Sequence, residues 1–253
     1  MMTEYYLCDP TKNITALITT PTEIADQSTV AGRIMKKEPT CEQAGFVRLS
    51  ADGVKLRMAG GEFCGNAAMS AAALWCSEFG KDRGRVTSEI SGADRPLSIS
   101  VKKLDDGEYA CSVPMPAVLS AEEAVLDGYA VTRVDMNGIV HLVTEEKLPD
   151  AAAETLVKRW CGLYGADALG LMQLDGDSLK PLVYVPGADT LFWESSCASG
   201  TAAVGAYLFV RSGKSVRRSI IQPGGVLTVD VSITGDIILS GKVRMIKKDS
   251  ISI

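Results

Sequence analysis

The sequence predicts an α+β fold of two similar halves, in which antiparallel sheet makes up much of each half. Alternation of apolar and polar residues, which is typical of half-buried strands, recurs along the chain. A cysteine followed by a short Gly-containing turn and a helix of small residues occurs twice. These two copies begin at Cys64 and Cys197, about half a chain length apart in 253 residues. The repeat therefore predicts one such helix at the centre of each half.

The clearest strand signal is a hairpin centred on Asp52-Gly53. Residues 46–58 alternate apolar and polar side chains on both sides of this pair, a pattern typical of two antiparallel strands joined by a tight turn. Residues 97–101 and 227–233 alternate in the same way. They are predicted as further half-buried strands.

Helical signals are fewer than strand signals. A helix is predicted over residues 151–164, with Asp150 as its N-cap. The stretches that begin near Ala67 and Thr201 are rich in Ala, Ser and Gly, and such small side chains shield little backbone from water. We therefore expect these two helices to lie in the middle of each half, with sheet packed closely around them.

A boundary between the halves is predicted near Pro114-Met115-Pro116, where prolines interrupt regular structure. The expected organisation is an N-terminal half over residues 1–115, which carries Cys64, and a C-terminal half over residues 116–253, which carries Cys197. The last strand is free to return to the first half.

Composition favours a small-molecule partner. The chain is 46% hydrophobic and 23% charged, with a formal net charge of -5, and this acidic balance argues against nucleic acid and anionic membranes. Its apolar runs are far too short to cross a bilayer. The start of the chain has an acidic residue and lacks the positive region of a signal peptide, so a cytoplasmic location is expected.

The 7 cysteines are scattered and never form a Cys-x-x-Cys pair. This usage suits a reducing compartment and argues against both a disulfide framework and a zinc site. No metal is expected. We interpret the five cysteines outside the repeat as small core residues: Cys8, Cys41, Cys76, Cys111 and Cys161.

The two repeated cysteines stand where a helix begins, and such placement can lower a thiol pKa enough to populate the reactive thiolate. The same helix start offers unpaired N–H groups that can hold a substrate carboxylate. The residues expected to present these donors are Gly65, Asn66, Gly200 and Thr201.

Two such groups suit proton exchange at the α-carbon of an amino acid. Removal of the α-proton places negative charge next to an ionised carboxylate, which preorganised donors stabilise. Inversion also requires a proton from the opposite face, and a thiolate paired with a thiol satisfies this requirement. Cys64 and Cys197 are the predicted catalytic pair.

His141 is the single histidine, so a cysteine or serine hydrolase would have to use it. A Cys197–His141 pair is conceivable, but no Gly-x-Ser-x-Gly elbow is present. A hydrogen-bonded structural histidine is the favoured interpretation. The dispersed Cys residues give no metal-ligand spacing, and the Gly-Gly pairs are not followed by the helix and Lys of a phosphate loop.

Four segments carry a resemblance to a known family. They read Ser-Ala-Asp-Gly-Val (50–54), Cys-Gly-Asn-Ala (64–67), Ser-Cys-Ala-Ser-Gly-Thr (196–201) and Gln-Pro-Gly-Gly-Val-Leu (222–227). Together they resemble the diaminopimelate epimerase-like superfamily, which includes proline racemases and phenazine-pathway isomerases. The resemblance implies two pseudo-symmetric halves, each a mostly antiparallel sheet rolled around a central helix, with the catalytic pair between them. It also implies no pyridoxal phosphate, no other cofactor, and a substrate contact by Asn13.

Two departures from diaminopimelate epimerases concern the substrate. Ile139 stands where that family has an Asn, and the Arg of a Glu-Arg pair upstream of the second cysteine is missing. A distal carboxylate would lose its bidentate partner. The Glu-Ser-Ser-Cys-Ala-Ser-Gly-Thr segment resembles histidine racemases of metallophore pathways, which implies substrate contacts by Glu194 and Ser199.

The expected function is therefore cofactor-independent racemisation of a monocarboxylic amino acid such as histidine. Diaminopimelate epimerase is the first alternative. A phenazine-type isomerase uses an acidic residue instead of the cysteine pair, and a non-catalytic amino-acid-binding protein would have lost a cysteine, so both cysteines argue against these two classes. Whether the chain forms a homodimer stays open.

Overall fold

The computed structural model describes residues 2–253. The chain divides into two compact units. Unit 1 is the chain up to Pro114 together with Ser240–Ile253, and unit 2 is Met115–Leu239. Both contain strands and helices, so the α+β class is confirmed.

Unit 1 contains two helices and most of the N-terminal strands. In chain order these are β1 (Met2–Pro10), β2 (Thr15–Ile18), α1 (Ile24–Lys37), β3 (Gln43–Ser50), β4 (Gly53–Met58), α2 (Gly65–Glu78), β5 (Arg83–Ile90), β6 (Leu97–Asp105) and β7 (Glu108–Pro114).

Unit 2 continues the chain with two more helices. Its elements are β8 (Val118–Leu126), β9 (Tyr129–Met136), β10 (Ile139–Thr144), α3 (Asp150–Tyr164), β11 (Leu169–Asp175), β12 (Ser178–Val185), β13 (Thr190–Trp193), α4 (Ala198–Ser212), β14 (Val216–Gln222) and β15 (Gly225–Val231). The last strand, β16 (Ile237–Ser252), begins in unit 2 and ends in unit 1.

The strands of unit 1 form a closed eight-stranded barrel. Their order is β1-β2-β3-β4-β5-β6-β7-β16, and β16 also pairs with β1. The β2–β3 and β4–β5 pairs are parallel. Because every strand has two neighbours, this barrel has no open edge.

Helix α2 runs through the interior of this barrel. Every residue from Gly65 to Cys76 is buried, and most are Ala, Ser or Gly. Side chains of this size let the surrounding strands approach the helix axis closely. The predicted helix near Ala67 is thus confirmed and begins two residues earlier.

In unit 2 the strand order is β8-β9-β10-β11-β12-β14-β15, with β13 paired to β12. Helix α4 packs against β8, β9, β10, β11, β14 and β15. It begins at Ala198, three residues before the predicted start at Thr201. Helix α3 packs against β11 and β12 through Val157 and Trp160, which are fully buried.

The predicted N-cap of α3 is wrong. Pro149 occupies the N-cap position, and Asp150 is already the first helical residue. Its carboxylate is held 2.6 Å from Lys180 Nζ, so it forms an ion pair with β12 rather than a cap.

The predicted hairpin is formed by β3 and β4, with Ser50 paired to Gly53. The alternating segments at 97–101 and 227–231 lie in β6 and β15, whereas Ile233 falls beyond β15. Helix α1 was not predicted, although Gln27, Val30, Ala31 and Ile34 form a buried stripe at helical spacing. Within residues 2–253, no helix is both long and apolar enough to cross a membrane.

Candidate active site

Cys64 occupies the N-cap position of α2. Its backbone is extended, with φ -134° and ψ 113°, and its Sγ accepts a hydrogen bond from the N–H of Ala67 at 3.4 Å. The side chain of an N-cap residue normally satisfies one of the unpaired N–H groups in the first turn. Here a sulfur atom takes that place, so the helix start points its donors at the thiol.

A buried network of side-chain amides surrounds this thiol. Cys64 donates a hydrogen bond to Gln43 Oε1 at 3.1 Å. Gln43 Nε2 in turn donates to Asn13 Oδ1 at 2.6 Å and to Thr15 Oγ1 at 2.8 Å. Asn66 Nδ2 also donates to Asn13 Oδ1, at 3.0 Å. The network fixes the orientation of each amide around Cys64.

Asn13 reaches this network from a turn with unusual backbone geometry. Thr11 and Lys12, which precede it, have positive φ values of 58° and 66°. Residues other than glycine rarely adopt this conformation, and such strain is concentrated at functional sites. Asn13 Nδ2 donates to Glu42 Oε2 at 2.6 Å. Burial raises the pKa of Glu42, and the bond from Asn13 partly offsets that rise.

Cys197 repeats the arrangement in unit 2. It is the N-cap of α4, with φ -118° and ψ 109°, and its Sγ accepts from the N–H of Gly200 at 3.3 Å. Ser199 Oγ lies 3.6 Å from the same sulfur. The thiol also has a side-chain hydrogen bond to Glu194. In both copies of the motif the cysteine Sγ thus accepts a hydrogen bond from the backbone N–H of the residue three positions later in the chain.

Gln222 clamps the backbone at the start of α4. Its Oε1 accepts from the N–H of Cys197 at 2.8 Å, and its Nε2 donates to Thr201 Oγ1 at 2.9 Å. Thr201 is fully buried, and both its N–H and its hydroxyl donate to Cys197 O. The expectation that the Thr201 N–H faces a substrate is therefore wrong, because the helix uses that donor.

Both thiols have a raised pKa, which is the opposite of the expected direction. Burial raises the pKa of Cys64 to about 11, although the N–H of Ala67 favours the thiolate. Burial also raises the pKa of Cys197 well above its usual value, and the nearby Glu194 carboxylate adds to the rise. Loss of water around a thiolate outweighs the helix donors in both places.

His141 forms no pair with Cys197. It is fully buried in β10, and neither ring nitrogen has a hydrogen-bond partner within residues 2–253. Its ring fills the space beside Gly170 on the neighbouring strand. The expectation of a hydrogen-bonded structural histidine is therefore wrong. Burial lowers the pKa of His141 to about 3, so it is neutral in the folded chain.

The predicted site residues form one cluster in each unit. In unit 1, Asn13, Gly65 and Asn66 surround Cys64, and all three are buried. In unit 2, Ser199, Gly200 and Thr201 follow Cys197 in the first turn of α4, and Glu194 hydrogen-bonds the thiol. The other five cysteines are buried, as expected for core residues.

Two glutamines in these clusters were not predicted as site residues. Gln43 contacts the thiol of Cys64, and Gln222 holds the backbone of Cys197. Gln222 begins a segment that contributed to the family resemblance, so a signal for it existed. Gln43 had no local signal.

Comparisons with known proteins find relatives that match almost the whole chain. A histidine racemase of Fusobacterium nucleatum is 33% identical over 99% of this chain and 96% of its own length. A histidine racemase of Staphylococcus aureus is 27% identical over 89% of this chain and 87% of its own length. A solved structure described as a predicted epimerase from Pseudomonas aeruginosa superposes with a TM-score of 0.75, at 14% identity and 99% coverage of both chains.

The match to a family extends along almost the whole chain. Residues 2–249 fit the family described as the histidine racemase CntK N-terminal domain. The relatives and the solved structure agree with an isomerase of the diaminopimelate epimerase-like fold. The chain therefore belongs to the histidine racemase CntK N-terminal domain family.

Proposed function

We propose that this amino-acid racemase acts on histidine and that Cys64 and Cys197 are its two acid-base groups. The observation that carries the proposal is the repeated cysteine at the N-cap of a buried helix, with Sγ accepting an N–H from Ala67 in one unit and Gly200 in the other. Substrate identity is supported by the relatives in Fusobacterium nucleatum and Staphylococcus aureus, which are histidine racemases.

In the proposed reaction one cysteine is a thiolate and the other a thiol. The thiolate takes the α-proton and becomes a thiol, while the electron pair of the C–H bond stays on the substrate and is delocalised into its carboxylate. The other thiol then delivers its proton to the opposite face of the α-carbon and becomes a thiolate. The α-carbon is inverted, no electrons are gained or lost, and the reverse reaction uses the same groups in exchanged roles.

The raised thiol pKa values fit a site that is activated by its substrate. Cys197 is buried and Cys64 is half-buried, and with their raised pKa values both thiols are predominantly protonated at neutral pH. A bound amino acid brings an ammonium group, and a positive charge nearby lowers the pKa of a thiol. The proposal needs no pyridoxal phosphate because the positive N-terminal ends of α2 and α4 stabilise the carboxylate charge.

The proposed substrate contacts come from the two clusters. Asn13 and Asn66 in unit 1 and Ser199 in unit 2 supply neutral polar groups, while Glu194 supplies a carboxylate for a cationic part of the substrate. Gly65 and Gly200 permit close backbone approach. Thr201 is a positioning residue, since its hydroxyl and N–H are used within α4.

Chiral chromatography of L- and D-histidine incubated with single variants tests the mechanism. Cys64→Ala and Cys197→Ala should each lower racemisation in both directions by roughly 10²–10⁴-fold, since every turnover needs both groups. Cys76→Ala is the matched control, because Cys76 is a buried thiol of the same helix α2 and donates to Lys81 O. Near-native activity in either catalytic variant, or a requirement for added pyridoxal phosphate, would refute the mechanism.

Substrate identity requires a separate measurement. The value of kcat/KM for histidine should greatly exceed that for meso-diaminopimelate, because the Arg that would hold a distal carboxylate is missing. Comparable values would overturn the substrate assignment and leave the two-cysteine mechanism standing.

A further inference from the structure

A cavity lies on the outside of unit 1, and Cys64 does not line it. Its volume is about 690 Å³, and Cys64, Asn13, Gln43 and Asn66 are not among the residues that line it. We call it the outer groove. It is lined by the outer faces of β3, β4 and β5, by residues 20–24 and Gln27 around the start of α1, and by residues 90, 91 and 93–96 around the β5–β6 connection.

Basic side chains converge on the floor of the outer groove. Arg48 of β3 pairs directly with Lys55 of β4, and Arg57 stands two residues further along β4 on the same outward face. Two like charges directly opposite each other on a sheet destabilise it. Lys55 is neutralised by Glu89 at 2.8 Å on the next strand. Among residues 2–253, Arg48 has no carboxylate partner.

Three arginines of the outer groove are free to bind a ligand. Within residues 2–253, Arg48, Arg57 and Arg95 form no ion pair and donate no side-chain hydrogen bond, and all three are exposed. The remaining carboxylates of the lining are Glu23 and Asp94. The groove thus carries four cations and three carboxylates, in a chain whose formal net charge is -5.

The start of α1 forms one wall of the outer groove. Glu23 is its N-cap and makes no side-chain cap hydrogen bond, so the first N–H groups of the helix have no side-chain acceptor there. Guanidinium groups bind phosphate and carboxylate through paired, charge-assisted hydrogen bonds. Three such groups around a cavity of this size suit a ligand with more than one anionic group.

The β5–β6 connection, which lines another part of the outer groove, contacts the loop that leads into Cys64. Ser91 Oγ donates to Glu62 O at 2.8 Å and accepts from the N–H of Met58 at 3.0 Å. Gly92, with a positive φ of 74°, lies so close to Phe63 N that a side chain there would collide with the backbone. Arg57 also lies against this loop, because a Cβ at Gly61 would be 3.3 Å from Arg57 Nη2.

We propose that the outer groove binds a small multiply charged oxyanion, a phosphate ester or a polycarboxylate, and that binding alters the environment of Cys64. The ligand is held by Arg48, Arg57 and Arg95. Its effect passes through Ser91 and Gly92 to residues 61–63, which directly precede the cysteine.

Calorimetric titration of the full chain with inorganic pyrophosphate and with citrate, at an ionic strength fixed by sodium chloride, tests the binding. We expect saturable binding of at least one probe, and the comparison of the two shows whether phosphate or carboxylate groups are preferred. Arg48→Gln and Arg57→Gln should each weaken binding by roughly tenfold. Arg85→Gln is the matched control, since Arg85 is exposed on β5 but does not line the groove.

Two outcomes would overturn the site. One is the absence of saturable binding by either probe up to about 10 mM, a range in which specific millimolar affinity is detectable. The other is equal weakening by Arg85→Gln, which would indicate a nonspecific charge effect.

The link to Cys64 is read from thiol alkylation, which does not depend on racemase activity. Saturating probe should change the iodoacetamide alkylation rate of Cys64 by roughly fivefold or more and leave that of Cys197 unchanged. Binding without any change at Cys64 would refute the coupling.

Discussion

The thiol of Cys64 donates a hydrogen bond to Oε1 of Gln43, with 3.1 Å between the two atoms. The amide nitrogen of Gln43 is held by Asn13 and Thr15, so the glutamine connects the β1–β2 turn to the start of α2. A single side chain thereby sets where the thiol points.

Replacing this glutamine should impair catalysis without unfolding the chain. Gln43→Met keeps the side-chain length but removes the acceptor of the thiol and the donor to Asn13. We expect kcat/KM for racemisation to fall by roughly 10- to 100-fold, because a misplaced acid-base group loses its approach geometry. Gln173→Met is the control, since Gln173 Oε1 accepts from the N–H of Leu148 in unit 2. Equal losses in both variants would contradict the positioning role.

Removing the charge of Glu194 should make Cys197 more reactive toward alkylation. The pKa of Cys197 is raised by burial and further by the Glu194 carboxylate, so Glu194→Gln should lower that pKa and increase the thiolate fraction at pH 8. Iodoacetamide labelling of Cys197, followed by mass spectrometry, should accelerate roughly threefold or more, because the thiolate is the reactive form of the cysteine. Glu154→Gln is the matched control, because Glu154 binds Trp193 Nε1 in the same unit. Unchanged labelling of Cys197 would exclude this effect of Glu194.

A single methyl group at position 200 should displace the second thiol. A Cβ there would lie 3.0 Å from Cys197 Sγ and collide with Met172 Sδ. Gly200→Ala should lower racemase activity by roughly tenfold or more. Gly162→Ala is the control, because nothing lies within 4 Å of a Cβ at that position. The double variant with Met172→Ala should regain thermal stability but not activity, and recovery of activity would show that the collision with Met172 alone causes the defect.

His141 should make the chain less stable as the pH falls. Its pKa is about 3 in the folded chain and near 6.5 when unfolded, so the unfolded state binds an extra proton between these values. The stability that His141 contributes is fully present above pH 6.5 and is lost as the pH falls toward 3. Between pH 7 and 5.5 the free energy of unfolding, measured with urea, should fall by about 1 kcal/mol more for the wild type than for His141→Leu. An equal fall in the free energy of unfolding for the wild type and His141→Leu would show that His141 is protonated in the folded chain over this pH range.

The parts of the site that could be predicted from the sequence are those formed by a short continuous segment of the chain. The two N-cap cysteines and the buried small-residue helices were found because each motif occupies about ten consecutive positions. Gln43 was missed because its role depends on the parallel pairing of β2 with β3, which sets Thr15 opposite Gln43. Pairing between separate segments leaves no local pattern.

The direction of the thiol pKa values was missed for a different physical reason. A helix start is visible in the sequence, and its donors favour the thiolate. The depth at which the fold buries Cys64 and Cys197 is not visible, and that burial dominates. The predicted Asp150 cap is wrong because α3 begins one residue earlier than expected, with Pro149 at the N-cap position.

The final strand has a consequence for the order in which the chain is synthesised. The barrel of unit 1 closes only when β16 pairs with β1, through contacts such as Tyr5 opposite Asp249. Tyr5 leaves the ribosome 244 residues before its partner Asp249. Unit 2 extends from Met115 to Leu239, and all of it except the start of β16 is synthesised before β16 begins at Ile237. The β1 edge of unit 1 therefore lacks its β16 partner until β16 has been synthesised.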